Sequence, residues 1–166
     1  QPMFNEDKSV CTVFNGEIYG HRELRSRLER LGHRLATDSD TETIVHAYEE
    51  YGDRCVEHLR GMFAFALWDD EAKRLLLARD RVGKKPLYYA RVGDALYFGS
   101  ELAVLLTQPE IPRTVDYQAI WLYLSFLAVP APHSAFAAVR KLEPGHVLSW
   151  QGGTLTTRRY WDLDFA

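Results

Sequence analysis

Val10-Cys11-Thr12-Val13-Phe14 is a β-branched, apolar run, and within a few residues it gives way to Arg22–Leu31, where leucines recur at helical spacing. Asn15-Gly16 lies between them, where the strand is expected to end. Asn-Gly is the commonest two-residue hairpin signal, yet only Glu17, Ile18 and Tyr19 separate it from the helix, which leaves little room for a returning strand. The pair also has a chemical use. A side-chain amide beside a glycine N–H supplies two donors that can converge on one developing oxyanion. From these residues alone, turn and donor pair both stand.

Downstream, Glu23–Gly32 reads as an amphipathic helix with Leu24, Leu28 and Leu31 inward and Gly32 as its stop. Ser39, with Glu42 three residues on, fits a capping box for a helix over Thr43–Tyr51, ending at Gly52. In that frame Asp40 is a cap or a first-turn acid. From Gly61 the period changes to that of strands: Met62–Trp68, Arg74–Ala78, Leu87–Arg91 and Ala95–Phe98, read together as an antiparallel meander. Phe63, Phe65 and Leu67 alternate with Ala64 and Ala66, the pattern of a strand covered on both faces. The basic loop Arg79–Pro86 lacks the second glycine and the Ser or Thr of a phosphate-binding P-loop. It reads as a solvated turn that Arg79 and Asp80 brace by pairing. A helix over Ser100–Leu106, a proline-marked connection, a helix capped by Asp116 through Tyr117, Ile120, Leu124 and Leu127, and a hairpin of His146–Trp150 with Leu155–Trp161 complete the chain.

At 166 residues, 46% hydrophobic, the chain has material for one well-packed domain. A formal charge of −3 argues against mainly electrostatic binding of nucleic acid or acidic membrane. No apolar run approaches a membrane span of about 20 residues, and the first residues lack a signal-peptide pattern, so a cytoplasmic location is expected. Cys11 and Cys55 make no disulfide framework. Six histidines show no paired spacing that would put two on one helical face, which predicts no bound metal.

Phe14-Asn15-Gly16-Glu17-Ile18-Tyr19 resembles a motif of class II glutamine amidotransferase domains, in the asparagine synthetase branch, and four further stretches match in order: Ser39–Glu42, Gly61–Asp69, Arg79–Tyr89 and Phe98–Leu102. Lys141–His146 and Arg159-Tyr160-Trp161 extend the similarity nearly to the C-terminus. The resemblance implies an α+β fold, the four-layer αββα sandwich of antiparallel sheets found in N-terminal-nucleophile hydrolases, incomplete at its N-terminus. The domain would span residues 1–162, with 163–166 beginning the connection to an ATP-dependent synthetase domain.

By the same resemblance, Asn15 and Gly16 form the oxyanion hole, while Glu17 and Asp40 hold the α-ammonium end of L-glutamine. The nucleophile would be a cysteine at the mature N-terminus whose own α-amine is the base; Gln1 is not that residue, and an internal cysteine has its nitrogen locked in an amide. This chain alone is therefore expected to have little or no glutaminase activity and to need no cofactor. ATP and Mg would serve the synthetase domain, which would use the ammonia to amidate aspartate or a related acceptor, and the parent could pair as a homodimer. Gly20 departs from the family's asparagine after Tyr19, and the family's arginine for the glutamine α-carboxylate would precede Gln1. The alternatives are a non-catalytic glutamine-binding or interaction domain and another class II amidotransferase, such as one making amino sugars.

Overall fold

In the computed structural model of the chain, which describes residues 1–164, strand β1 (Met3–Phe4) leads into β2 (Val10–Ile18). β2 runs straight through Asn15-Gly16, so the expected turn is not there. It pairs antiparallel with β3 (Gly61–Asp69) along its whole length, with Asn15 opposite Ala64 and Gly16 opposite Phe63. What the sequence presents as a turn glycine is a close-approach glycine: a Cβ on Gly16 would stand 2.1 Å from the Met62 carbonyl oxygen.

Residues 1–85 and the described residues from 145 onward form one compact unit. Its sheet has the order β1-β2-β3-β4-β8-β9, where β4 is Arg74–Arg79, β8 is His146–Gln151 and β9 is Thr154–Arg159. The alternation read at Phe63–Leu67 holds: Phe63, Ala64, Phe65, Ala66 and Leu67 are all buried. On one face of this sheet, Phe63, Phe65 and Leu67 join Val10, Ile18, Leu28, Ile44 and Val56 in the core. Burying each such side chain contributes about 1.5–3 kcal/mol.

Helix α1 (His21–Arg30) enters this core with Leu28, but Leu31 is half exposed rather than inward. The helix stops one residue earlier in a Schellman turn, in which the His33 N–H donates to the Leu28 carbonyl (3.1 Å) and the Gly32 N–H to the Glu29 carbonyl (3.1 Å). Helix α2 (Asp40–Tyr51) starts three residues earlier than expected. Ser39 caps it as predicted, accepting from the Thr41 N–H, but Glu42 does not close the box. Its carboxylate reaches back to the N–H groups of Ala36 and Thr37 and the Thr37 hydroxyl, each at 2.7 Å. A 3-10 helix over Gly52–His58, unmarked in the sequence, adds Cys55 and Val56 to the core.

The expected meander divides after β4, which pairs with β8 instead of the next strand. Asp80 accounts for the break. Fully buried, it accepts the N–H groups of Phe63, Val82, Lys84 and Lys85, and so curls the chain away from the ladder. Arg79 grips the same loop through the Gly83 and Lys85 carbonyls. The brace is therefore made from side chain to backbone, where an Arg79–Asp80 pair was expected.

Residues 86–144 form the second compact unit. Its sheet has the order β6-β5-β7, with β5 Tyr88–Val92, β6 Ala95–Gly99 and β7 Arg140–Lys141. Helix α3 (Leu102–Leu105) is shorter than expected because Glu101 stays extended. Helix α4 (Tyr117–Phe126) is capped by the Asp116 carboxylate, which accepts from the N–H groups of Gln118 and Ala119. Of α4 only Ala119 is buried; Trp121, Leu124 and Phe126 are more than 60% exposed. Part of the connection expected at 163–166 lies outside the described residues.

Candidate active site

The edge of β2 positions the residues named from the sequence. Phe63, opposite Gly16, turns both backbone groups toward Asp80: the Asp80 N–H donates to the Phe63 carbonyl (2.8 Å), and the Phe63 N–H donates to Asp80 Oδ2 (3.2 Å). In an antiparallel ladder a residue aims its N–H and C=O at one neighbouring strand only. Gly16 therefore directs its N–H to the other side of β2. On that side the Phe14 N–H donates to Gln1 Oε1 (2.6 Å), and the Ile18 N–H donates to Asp40 Oδ2 (2.9 Å). The Gly16 N–H stands between these two, roughly 7 Å along the strand from each.

Asp40 reaches this edge because Ser39 fixes the start of α2, making Asp40 the first helical residue. Asn15 and Glu17 project from β2 on the face opposite the core and are exposed. The structure thus brings Asn15, Gly16, Glu17 and Asp40 to one strand end. The link from Asp40 to the Ile18 N–H is the part that sequence reading missed, since 22 residues separate the partners and no local pattern marks the bond.

Neither thiol of the chain is prepared for attack. Burial pushes the Cys55 thiol up to about 12, and burial, with Asp70 nearby, also raises Cys11. Little thiolate is present at neutral pH in either case. A cavity of about 550 Å³ opens beside the end of β2, lined by Ile18, Tyr19, Leu24, Arg27, His58 and Arg60. None of the four named site residues lines it. Burial first, then the Arg27 charge, keeps His58 below its usual range.

The sequence profile of a family described as "Glutamine amidotransferase domain" matches residues 1–161. The chain is 40% identical over 167 residues to asparagine synthetase [glutamine-hydrolyzing] 1 of Bacillus subtilis (strain 168), an alignment covering 99% of this chain and 26% of that protein. To asparagine synthetase [glutamine-hydrolyzing] 2 of Oryza sativa subsp. japonica it is 47% identical over 126 residues, 75% of this chain and 21% of the relative. It thus spans about a quarter of the length of such relatives. Among solved structures, the glutamine phosphoribosylpyrophosphate amidotransferase of B. subtilis, complexed with ADP and GMP, superposes with a TM-score of 0.65 at 22% identity, over 97% of this chain and 32% of that one. At that identity the likeness speaks for the fold, and it agrees with the α+β class of antiparallel sheets expected from the sequence.

Proposed function

Because the chain belongs to the glutamine amidotransferase domain family, we propose that it forms the glutamine-hydrolysing part of an asparagine synthetase-like enzyme. Attack on the side-chain amide of L-glutamine passes through a tetrahedral species with negative charge on the former carbonyl oxygen. The Asn15 amide and the Gly16 N–H act as its donors. The carrying observation is the direction of the Gly16 N–H, turned out from β2 and fixed there by the pairing of Phe63 with Asp80. A donor held in place beforehand costs no reorganisation as charge develops.

Glu17 and Asp40 hold the α-ammonium group of glutamine. Two carboxylates, one on the end of β2 and one at the start of α2, suit a cation, and the Ile18 N–H orients the second of them. The attacking thiolate belongs to the mature N-terminus of the parent, which is consistent with the unactivated state of Cys11 and Cys55. The ammonia passes to a C-terminal, ATP- and Mg-dependent synthetase part that amidates aspartate or a related acid in the cytoplasm. The greater length of the relatives supports that part, and so does the uncovered apolar surface of α4.

The test is made on the full-length gene product. Asn15→Ala is expected to lower kcat for glutamine hydrolysis by about 10²–10³ with little change in KM. Equal turnover in mutant and wild type would remove Asn15 from the oxyanion site. Glutamine binding measured by calorimetry, without turnover in the full-length protein, would make this a binding domain instead.

A further inference from the structure

Two histidines with no part in the proposed chemistry meet at α2. His33 follows Gly32 out of the turn that closes α1, while His46 and Glu49 lie one helical turn apart in α2. Both Nδ1 atoms face the same carboxylate oxygen: Glu49 Oε2 is 2.9 Å from His46 Nδ1 and 3.3 Å from His33 Nδ1. The two rings meet edge to face at 5.4 Å. One donor atom from each of the three side chains lies within 4.8 Å of the others.

The surroundings fix this arrangement. Asn5, itself buried, donates from Nδ2 to Glu49 Oε1 (2.8 Å) and so turns Oε2 toward the histidines. His33 Nε2 stands 3.3 Å from Glu50 Oε2. If that nitrogen carries the proton, Nδ1 presents its lone pair to Glu49 Oε2, and two acceptors then face each other across 3.3 Å unless a cation lies between them. A carboxylate on the far nitrogen is also the usual companion of a metal-bound histidine. Glu6 Oε2 lies 3.9 Å from His46 Nδ1, and its other oxygen is anchored by the Arg34 N–H. Glu42 lies 4.0 Å from His46 Nε2. Four carboxylates therefore surround two imidazoles.

We propose that His33, His46 and Glu49 bind Zn²⁺, with Glu6 or water in the fourth position. Imidazole and carboxylate are zinc ligands, and a tetrahedral ion with bonds of about 2.0–2.1 Å separates its ligand atoms by about 3.3 Å. The Glu49 oxygen stands 2.9 and 3.3 Å from the two histidine nitrogens, and all three donor atoms lie within 4.8 Å of one another. Spacing along the chain predicted no metal because it weighed pairs of histidines on single helices; here the two histidines come from different segments, the turn after α1 and α2. The ion ties α2 to the turn after α1, and with Glu6 as fourth ligand also to the β1–β2 connection, which steadies the helix that carries Asp40. This inference stands apart from the glutaminase reading.

The chain, stripped with chelator, is titrated with Co²⁺ and then Zn²⁺. The expected result is the ligand-field absorption of tetrahedral cobalt, saturating at one ion per chain, erased by Zn²⁺ and unchanged in Cys11→Ser. His33→Gln and Glu49→Gln, each checked for folding by circular dichroism, should weaken binding by about 100-fold or more, and Zn²⁺ should raise the thermal midpoint of the wild type but not of these variants. Absence of the cobalt band, or a band that survives in both folded variants, overturns the proposal. So does a cluster whose stability responds to pH alone and not to metal, since protons then bridge the carboxylate.

Discussion

Asp40 joins two elements through a single oxygen, because the Ile18 N–H at the edge of β2 donates to a carboxylate at the start of α2. Asp40→Asn keeps an acceptor for that N–H and removes the charge. In the parent enzyme it should chiefly raise KM for glutamine and leave kcat close to wild type; an unchanged KM would take Asp40 out of the binding site. Glu42 tests the same neighbourhood by pH. Burial opposes its ionisation, but the Thr37 hydroxyl and the N–H groups of Ala36 and Thr37 outweigh burial and hold its carboxyl below the ordinary 4.5. A depressed native pKa gives stability that is complete above the unfolded value and drains away as pH falls below it. Urea unfolding from pH 6 down to about pH 3 should therefore show an acid loss that is smaller in Glu42→Gln, itself less stable at pH 6, than in wild type. The remainder belongs to other depressed carboxyls such as Asp70 and Asp116. The Ser39 cap was legible because its bond spans two residues, whereas Glu42 had competing donors upstream that a capping template does not weigh.

β2 and β3 hold each other through two glycines. The φ of Gly16 is +153° and that of Gly61 is +143°, and a Cβ on Gly61 would meet the Glu17 carbonyl oxygen at 2.1 Å just as one on Gly16 would meet that of Met62. The clash in each case is with backbone, which no rotamer change relieves. Gly16→Ala should thus destabilise the chain by about 3 kcal/mol or more, read as a lower urea midpoint; a loss under about 0.5 kcal/mol, the scatter of surface substitutions, would mean that the strands separate at little cost. Most of the strands and helices were legible from period and caps. Their pairing was not, because hydrogen-bond partners lie far apart in sequence: Leu77 of β4 pairs with Leu148 of β8, and it is Asp80, a buried charge inside a basic loop, that diverts the chain between them. Leu31 fits the leucine period, yet the α1 turn closes before it.

The apolar surface of α4 sets how the chain behaves in solution. The sequence places Ile120, Leu124 and Leu127 along the helix that Asp116 caps; they are 43%, 72% and 81% exposed, and no other described residue covers them. Sequence pattern reports that a face needs cover and is silent on what supplies it. The chain by itself should bind an apolar dye such as ANS, and Trp121→Ser with Leu124→Ser should at least halve that fluorescence while moving the urea midpoint by no more than about 0.5 kcal/mol; undiminished fluorescence would locate the exposed surface elsewhere. The Asp80 node also bears on how such a chain can be rearranged. Its carboxylate holds the Lys84 and Lys85 amides, and its carbonyl accepts the Gly145 N–H at 2.9 Å, so residues 86–144 leave and return at one residue. They form a cassette: the strand order β1-β2-β3-β4-β8-β9 is completed without any strand from that stretch, so the sheet that carries the Gly16 edge is threaded independently of it.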